Sequence, residues 1–202
     1  MPKIDHDTKE KILIAAEKVF HANGFRGTRT TMIAEEAGIS RTMLHYYYST
    51  KEALFQEVLN KTLGTVLRYI KQIFTEDKGL EALVGHLVDV VADIFEEKPG
   101  FPSFLVNILN ESPDIALFMA ASQEDNIPRI LDNLLQKAKD KGEISTDMTG
   151  EDIVINIYAL CSLPYLGAVY IKAKENLDDE AFKAFVRQRR EKTKTLLIKG
   201  LK

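Results

Sequence analysis

Arg41, Thr42, His45 and Tyr46 stand at i, i+1, i+4 and i+5, a spacing that places all four on one side of an α-helix. A guanidinium, a hydroxyl, an imidazole and a phenol offer donors, acceptors and planar surface, the chemistry that reads base edges from a helix lying in a major groove. His45 suits a base edge in either protonation state, and a structural role within its own helix accounts for it equally well. Just downstream, Tyr46, Tyr47 and Tyr48 lead into Ser49-Thr50-Lys51-Glu52, a capped helix start with a cation in its first turn. The positive helix end and the Lys51 ammonium both favour a phosphate, and tyrosine hydroxyls are common phosphate donors. A purely structural tyrosine cluster is the competing interpretation.

The elements that must position these groups are legible in residues 28–48, TRTTMIAEEAGISRTMLHYYY. Two short helical patterns are joined by a turn. Thr28 is placed to cap the first, with Ile33, Ala34 and Ala37 facing inward; Gly38 supplies a permissive backbone for the turn; Ser40 caps the second. Ile39 and Leu44 bury the second helix against the first, an arrangement with the grammar of a helix-turn-helix. Upstream, Ile12, Ala16, Val19 and Phe20 form one apolar stripe, with Asp7 and Glu10 in capping-box spacing before it and Gly24 placed to end it.

The remainder repeats the helical period. Leu83, Leu87, Val90, Val91, Ile94 and Phe95 run to a break at Pro99-Gly100-Phe101-Pro102, and Ile127, Ile130, Leu131, Leu134 and Leu135 run to Gly142. Sustained alternation is absent, so the expectation is an all-α chain of about nine helices. With 202 residues, 45% hydrophobic and 28% charged, the chain has the composition of a globular fold that buries about 70% of its unfolded surface. One cysteine, Cys161, permits no internal disulfide and suits a reducing cytoplasm, and the N-terminal residues contain no secretory signal. Residues 1–51 are net +2 while the rest is net −5, so an anionic partner fits the N-terminal quarter best.

Residues 56–202 hold no phosphate-cradling glycine loop, H-E-x-x-H, C-x-x-C or G-x-S-x-G, so neither an enzyme nor a cofactor is expected. His86, Asp89 and Asp93 at i, i+3 and i+7 could serve a metal or a proton relay, and a solvated border beside the apolar stripe explains them more cheaply. A small molecule held between helices is more plausible; Phe101, Phe104, Asn107, Phe118, Met119, Tyr158 and Tyr165 are the candidate lining residues, for an apolar or weakly polar ligand. The charge-free run 153–171 approaches membrane-spanning length, but Asn156, Ser162, Pro164 and Gly167 interrupt it and burial against protein fits better. Pro164 should kink this run and open space beside Tyr158 and Cys161.

From about Lys11 to Phe55 the chain resembles the DNA-binding domain of the TetR family of bacterial transcriptional regulators, on AAEKVF, Gly24-Phe25, Thr28, IAEEAGIS at 33–40, Leu44, the aromatic tail 46–48 and KEALF at 51–55. The resemblance implies a three-helix helix-turn-helix domain over 1–55 and a divergent helical ligand-binding and dimerisation domain over 56–202. It implies that Arg29, Arg41, Thr42, His45 and Tyr46 face bases or neighbouring backbone, and that Thr28, Tyr47 and Lys51 face phosphates. Two departures stand out: Thr42 where the family usually has Gly, and Tyr48 where it usually has Phe. Thr42 adds a side chain near the groove, so base preference does not carry over. The implied function is a ligand-released repressor that binds an inverted repeat in double-stranded DNA. The competing class is a helical carrier or enzyme in which the N-terminal motif is only structural.

A homodimer is expected through 153–171 and 178–200, because the first run is too apolar to face water. Phe182, Phe185, Val186, Leu196 and Leu197 offer it a companion helix. The weak point is the middle of that helix, since 187–202 holds seven Lys/Arg against one Glu.

Overall fold

The computed structural model describes residues 5–73, 79–111 and 127–202. Among them are ten helices and no strand: α1 (His6–Gly27), α2 (Thr30–Glu36), α3 (Arg41–Tyr47), α4 (Lys51–Ile73), α5 (Leu80–Glu97), α6 (Phe101–Glu111), α7 (Ile127–Asp140), α8 (Gly150–Leu166), α9 (Ala168–Glu175) and α10 (Asp179–Gly200). The chain divides into two compact units, Met1–Val66 with Ser103–Ala121, and Leu67–Pro102 with Ser122–Lys202.

In the first unit α1 packs on α2 and α2 on α3. Its core is the predicted stripe, Ile12, Ala16, Val19 and Phe20, joined by Ile33, Ala34, Leu44, Leu54, Phe55, Leu59 and Phe104, all buried. Each large side chain removed from water in this way contributes about 1.5–3 kcal/mol. The start of α1 differs from expectation. Asp5, not the Asp7/Glu10 pair, is the cap: its carboxylate accepts from the Asp7 amide at 3.2 Å and the Thr8 hydroxyl at 2.9 Å. Gly24 does interrupt the helix, at φ +67°, but one further turn carries α1 on to Gly27.

In the second unit α5, α8 and α10 pack on one another, and α7 lies against α8. Gly150 is what allows that contact, since a Cβ there would sit 2.0 Å from the Pro128 carbonyl oxygen. Asp178 caps α10 by accepting from the Ala181 amide at 2.8 Å, and the far end is tied down where the Leu201 carbonyl accepts from the Ser145 and Thr146 amides. The run 153–171 bends by 65° between α8 and α9, and no single helix among the described residues is long and apolar enough to cross a membrane. The bend falls at Gly167, three residues beyond Pro164, whose missing N–H had already weakened the ladder.

Candidate nucleic-acid interface

The turn between α2 and α3 is built as its residues dictate. Gly38 takes φ +66°, a left-handed conformation with open space where a side chain would project. The Ile39 amide reaches back to the Ala34 carbonyl at 3.0 Å, and Ser40 accepts from the Met43 amide at 3.1 Å to start α3. Leu44 is the one buried residue of α3. A single buried apolar residue therefore anchors this helix, and most of its circumference is exposed.

That circumference carries Arg41, Thr42, Met43, His45 and Tyr46, all exposed, with Arg29 exposed at the N-cap of α2. Among the described residues, no hydrogen bond or ion pair engages the side chains of Arg29, Arg41, Thr42 or His45. Four groups with unspent hydrogen-bonding capacity thus lie on or beside one short helix. Met43, half exposed, was not anticipated; its i, i+3 spacing to Tyr46 was the available signal. Tyr46 and Tyr47 pack edge to face with centroids 5.5 Å apart, and the Tyr47 hydroxyl accepts from the Asp5 amide at 3.2 Å. Tyr48 is buried, which with the nearby Glu57 carboxylate pushes its phenol well above its usual range.

All three phosphate-facing residues implied by resemblance have internal partners, Thr28 and Lys51 as well as Tyr47. Thr28 is 2% exposed, and its hydroxyl donates to the Gly24 carbonyl at 2.7 Å. It does not cap α2 as its position suggested; Arg29 occupies the N-cap without a side-chain hydrogen bond, because the Thr28 hydroxyl is turned back on α1. The Lys51 ammonium donates to the carbonyls of Phe25 at 2.9 Å and Thr28 at 3.1 Å, and sits 4.3 Å from the centre of the Phe25 ring.

The described candidate ligand residues are divided between the two units. In the second unit Phe101, Tyr158 and Tyr165 surround Phe95 with centroids 5.8–6.3 Å from it, and burial raises both tyrosine phenols to about 12. In the first unit Phe104 lies against His21 and Phe55, and the Asn107 side chain lies beside Gly24. Phe118 and Met119 lie outside the described residues. Beside Cys161, Pro164 and Tyr165 the free space is only about 10 Å³, barely room for a water. A larger groove, about 310 Å³, opens on the outward side of Pro164 between Leu163, Ile171, Phe185, Arg189 and Lys192.

Of the His86, Asp89 and Asp93 edge, the two carboxylates are engaged by basic side chains of α10. Arg190 donates to Asp89 at 2.5 Å and Asp93 at 2.6 Å, Lys194 pairs with Asp89 at 3.0 Å, and Arg187 pairs with Glu96 at 2.5 Å. No group of three or more acidic, histidine or cysteine residues is arranged to hold a metal among the described residues.

Residues 12–58 match the family described as bacterial regulatory proteins, tetR family. The HTH-type transcriptional regulator RutR of Escherichia coli (strain K12) is 38% identical over 91 residues, which are 45% of this chain and 42% of that protein, so the similarity spans less than half of that relative. The HTH-type transcriptional regulator UidR of the same strain is 26% identical over 144 residues, 70% of this chain and 71% of that protein. The crystal structure of the transcriptional regulator FadR from Bacillus subtilis in complex with stearoyl-CoA superposes with a TM-score of 0.65 at 16% identity, covering 96% of this chain and 99% of that one. At that identity the likeness establishes a shared all-helical fold.

Proposed function

We propose that the chain, residues 12–58 of which match the tetR family of bacterial regulatory proteins, is a ligand-responsive transcriptional repressor. It binds an inverted-repeat operator as a homodimer in the cytoplasm. The observation that carries this reading is the outward face of α3, where Arg41, Thr42, His45 and Tyr46 are exposed on a helix whose one buried residue is Leu44. Arg29 extends that face, and Thr28, Tyr47 and Lys51 support it from behind or from its rim. DNA reading is assigned to residues 1–55, and effector binding and dimerisation to 56–202.

Dimerisation is supported by exposed apolar side chains on α8, α9 and α10: Leu163 is 65% exposed, Val169 85%, Tyr170 68% and Leu196 58%. Such a patch calls for a partner. A two-fold pair would present two copies of α3 to successive turns of one face of a duplex, about 34 Å apart or a multiple of it. The effector is an apolar or weakly polar small molecule, for which the aromatic set Phe101, Tyr158 and Tyr165 is the best-placed candidate lining. That FadR, of the same fold, holds stearoyl-CoA supports the ligand-responsive part of the reading.

Selection of genomic fragments by the ligand-free protein at low salt tests the proposal. An enriched inverted repeat is expected; recovery of no enriched sequence contradicts it.

A further inference from the structure

We propose that Lys51 is a positioning residue, a clamp that sets how α2 and α3 leave the end of α1, and that its effect on DNA is exerted through that junction more than through a phosphate. An ammonium has three N–H groups. Two of them are spent on the carbonyls of Phe25 and Thr28, 2.9 and 3.1 Å away, and the Phe25 ring covers the same nitrogen at 4.3 Å. At most one N–H is left for any anion.

Both carbonyls lie where direction matters. Phe25 belongs to the last turn of α1, beyond the break at Gly24, where the negative end of the helix favours a cation. The Thr28 carbonyl belongs to the peptide that joins Thr28 to Arg29, the N-cap of α2. The same residue is fixed on its other side by its hydroxyl, which donates to the Gly24 carbonyl at 2.7 Å. Each end of the clamp is itself held. Thr50 accepts from the Ala53 amide at 3.1 Å to anchor the start of α4, and the Phe25 and Phe55 rings pack with centroids 4.7 Å apart. The plane of the Thr28–Arg29 peptide is thereby set from α4. Since α2 packs on α3, the orientation of the face bearing Arg41 and His45 is set with it.

Two measurements on the full chain test the clamp. The first needs no DNA: hydrogen exchange of Lys51→Met, which keeps an unbranched apolar chain of similar length and removes the ammonium. The amides of Met32 to Ala37 are expected to exchange at least about tenfold faster than in the unsubstituted protein, with those of α8 and α10 unchanged. Unchanged exchange in α2, or equal acceleration in every helix, overturns the proposal.

The second rests on the DNA-binding reading above and compares a selected operator with a scrambled duplex. Lys51→Met and Lys51→Arg should both lower the operator-to-scrambled affinity ratio by about tenfold or more with the salt slope unchanged, because the planar guanidinium keeps the charge but not the two-carbonyl geometry. A Lys51→Arg protein with unaltered affinity, beside a Lys51→Met protein that weakens both duplexes equally and loses about 0.9 of slope per protomer, about 1.8 for the dimer, identifies a phosphate contact and overturns it. If the unsubstituted protein binds no duplex, the DNA-binding reading fails while the exchange measurement still decides the clamp.

Discussion

Arg190 bridges Asp89 and Asp93, its Nε 2.5 Å from one carboxylate and its Nη1 2.6 Å from the other, and so fastens the middle of α10 to the acidic edge of α5. The pair is largely withdrawn from water, with Arg190 22% and Asp89 28% exposed at the side chain. Removing one partner leaves the other poorly solvated, so Arg190→Ala should cost about 2 kcal/mol. Urea unfolding of the variant measures it.

Asp89 gives the same contact a pH signature. Burial opposes its charged form, but the Arg190 and Lys194 hydrogen bonds outweigh burial and hold the carboxyl below its ordinary value of 3.8. A carboxyl lowered in the folded state contributes stability above its unfolded pKa and loses it as pH falls through the folded one. Stability should therefore drop below about pH 4. Asp89→Asn should be less stable at neutral pH and show a shallower acid limb in thermal melts.

This contact also marks the limit of what the sequence discloses. The acidic edge and the basic stretch 187–194 were each visible, but a hundred intervening residues carry no periodicity that pairs them. Local devices fared better. Gly38, Ser40 and Thr50 cap or turn as their types require, because each acts within three or four residues. Thr28 and Lys51 were harder to place, since their partners are carbonyls at the end of α1 and a carbonyl carries no mark in a sequence. The exposed face of α3 was legible from spacing alone, and its burial through Leu44 follows from the same period.

Gly150 leaves no room for a methyl group, with the Pro128 carbonyl oxygen 2.0 Å and the Leu131 Cβ 2.9 Å from where one would stand. Gly150→Ala should push α7 away from α8 and destabilise by about 1–3 kcal/mol. A lowered Tm with an unchanged helical spectrum would report it.

Leu166 and Val169, 42% and 85% exposed, sit where a second copy is proposed to pack. Replacing both by Glu should convert a dimer to a monomer in sedimentation at micromolar concentration. A dimer that persists would move the interface elsewhere.

Arg41 and His45 should govern which bases are preferred. Arg41→Ala is expected to lose about 1–3 kcal/mol at one base pair of each half-site and little at the others, as expected of a lost bidentate contact. Competition among single-base variants of the operator resolves the position.

The central claim is that the face of α3 reads duplex DNA, two copies at a time. Titration of the ligand-free protein with a selected operator and with a scrambled duplex, across a salt series, tests it most directly. Two protomers per operator, affinity at least about a thousandfold above the scrambled duplex, and a log–log salt slope steeper than about −4 are predicted for a dimer with several phosphate contacts per half-site. Equal affinity for the two duplexes, or a slope near zero, would contradict it.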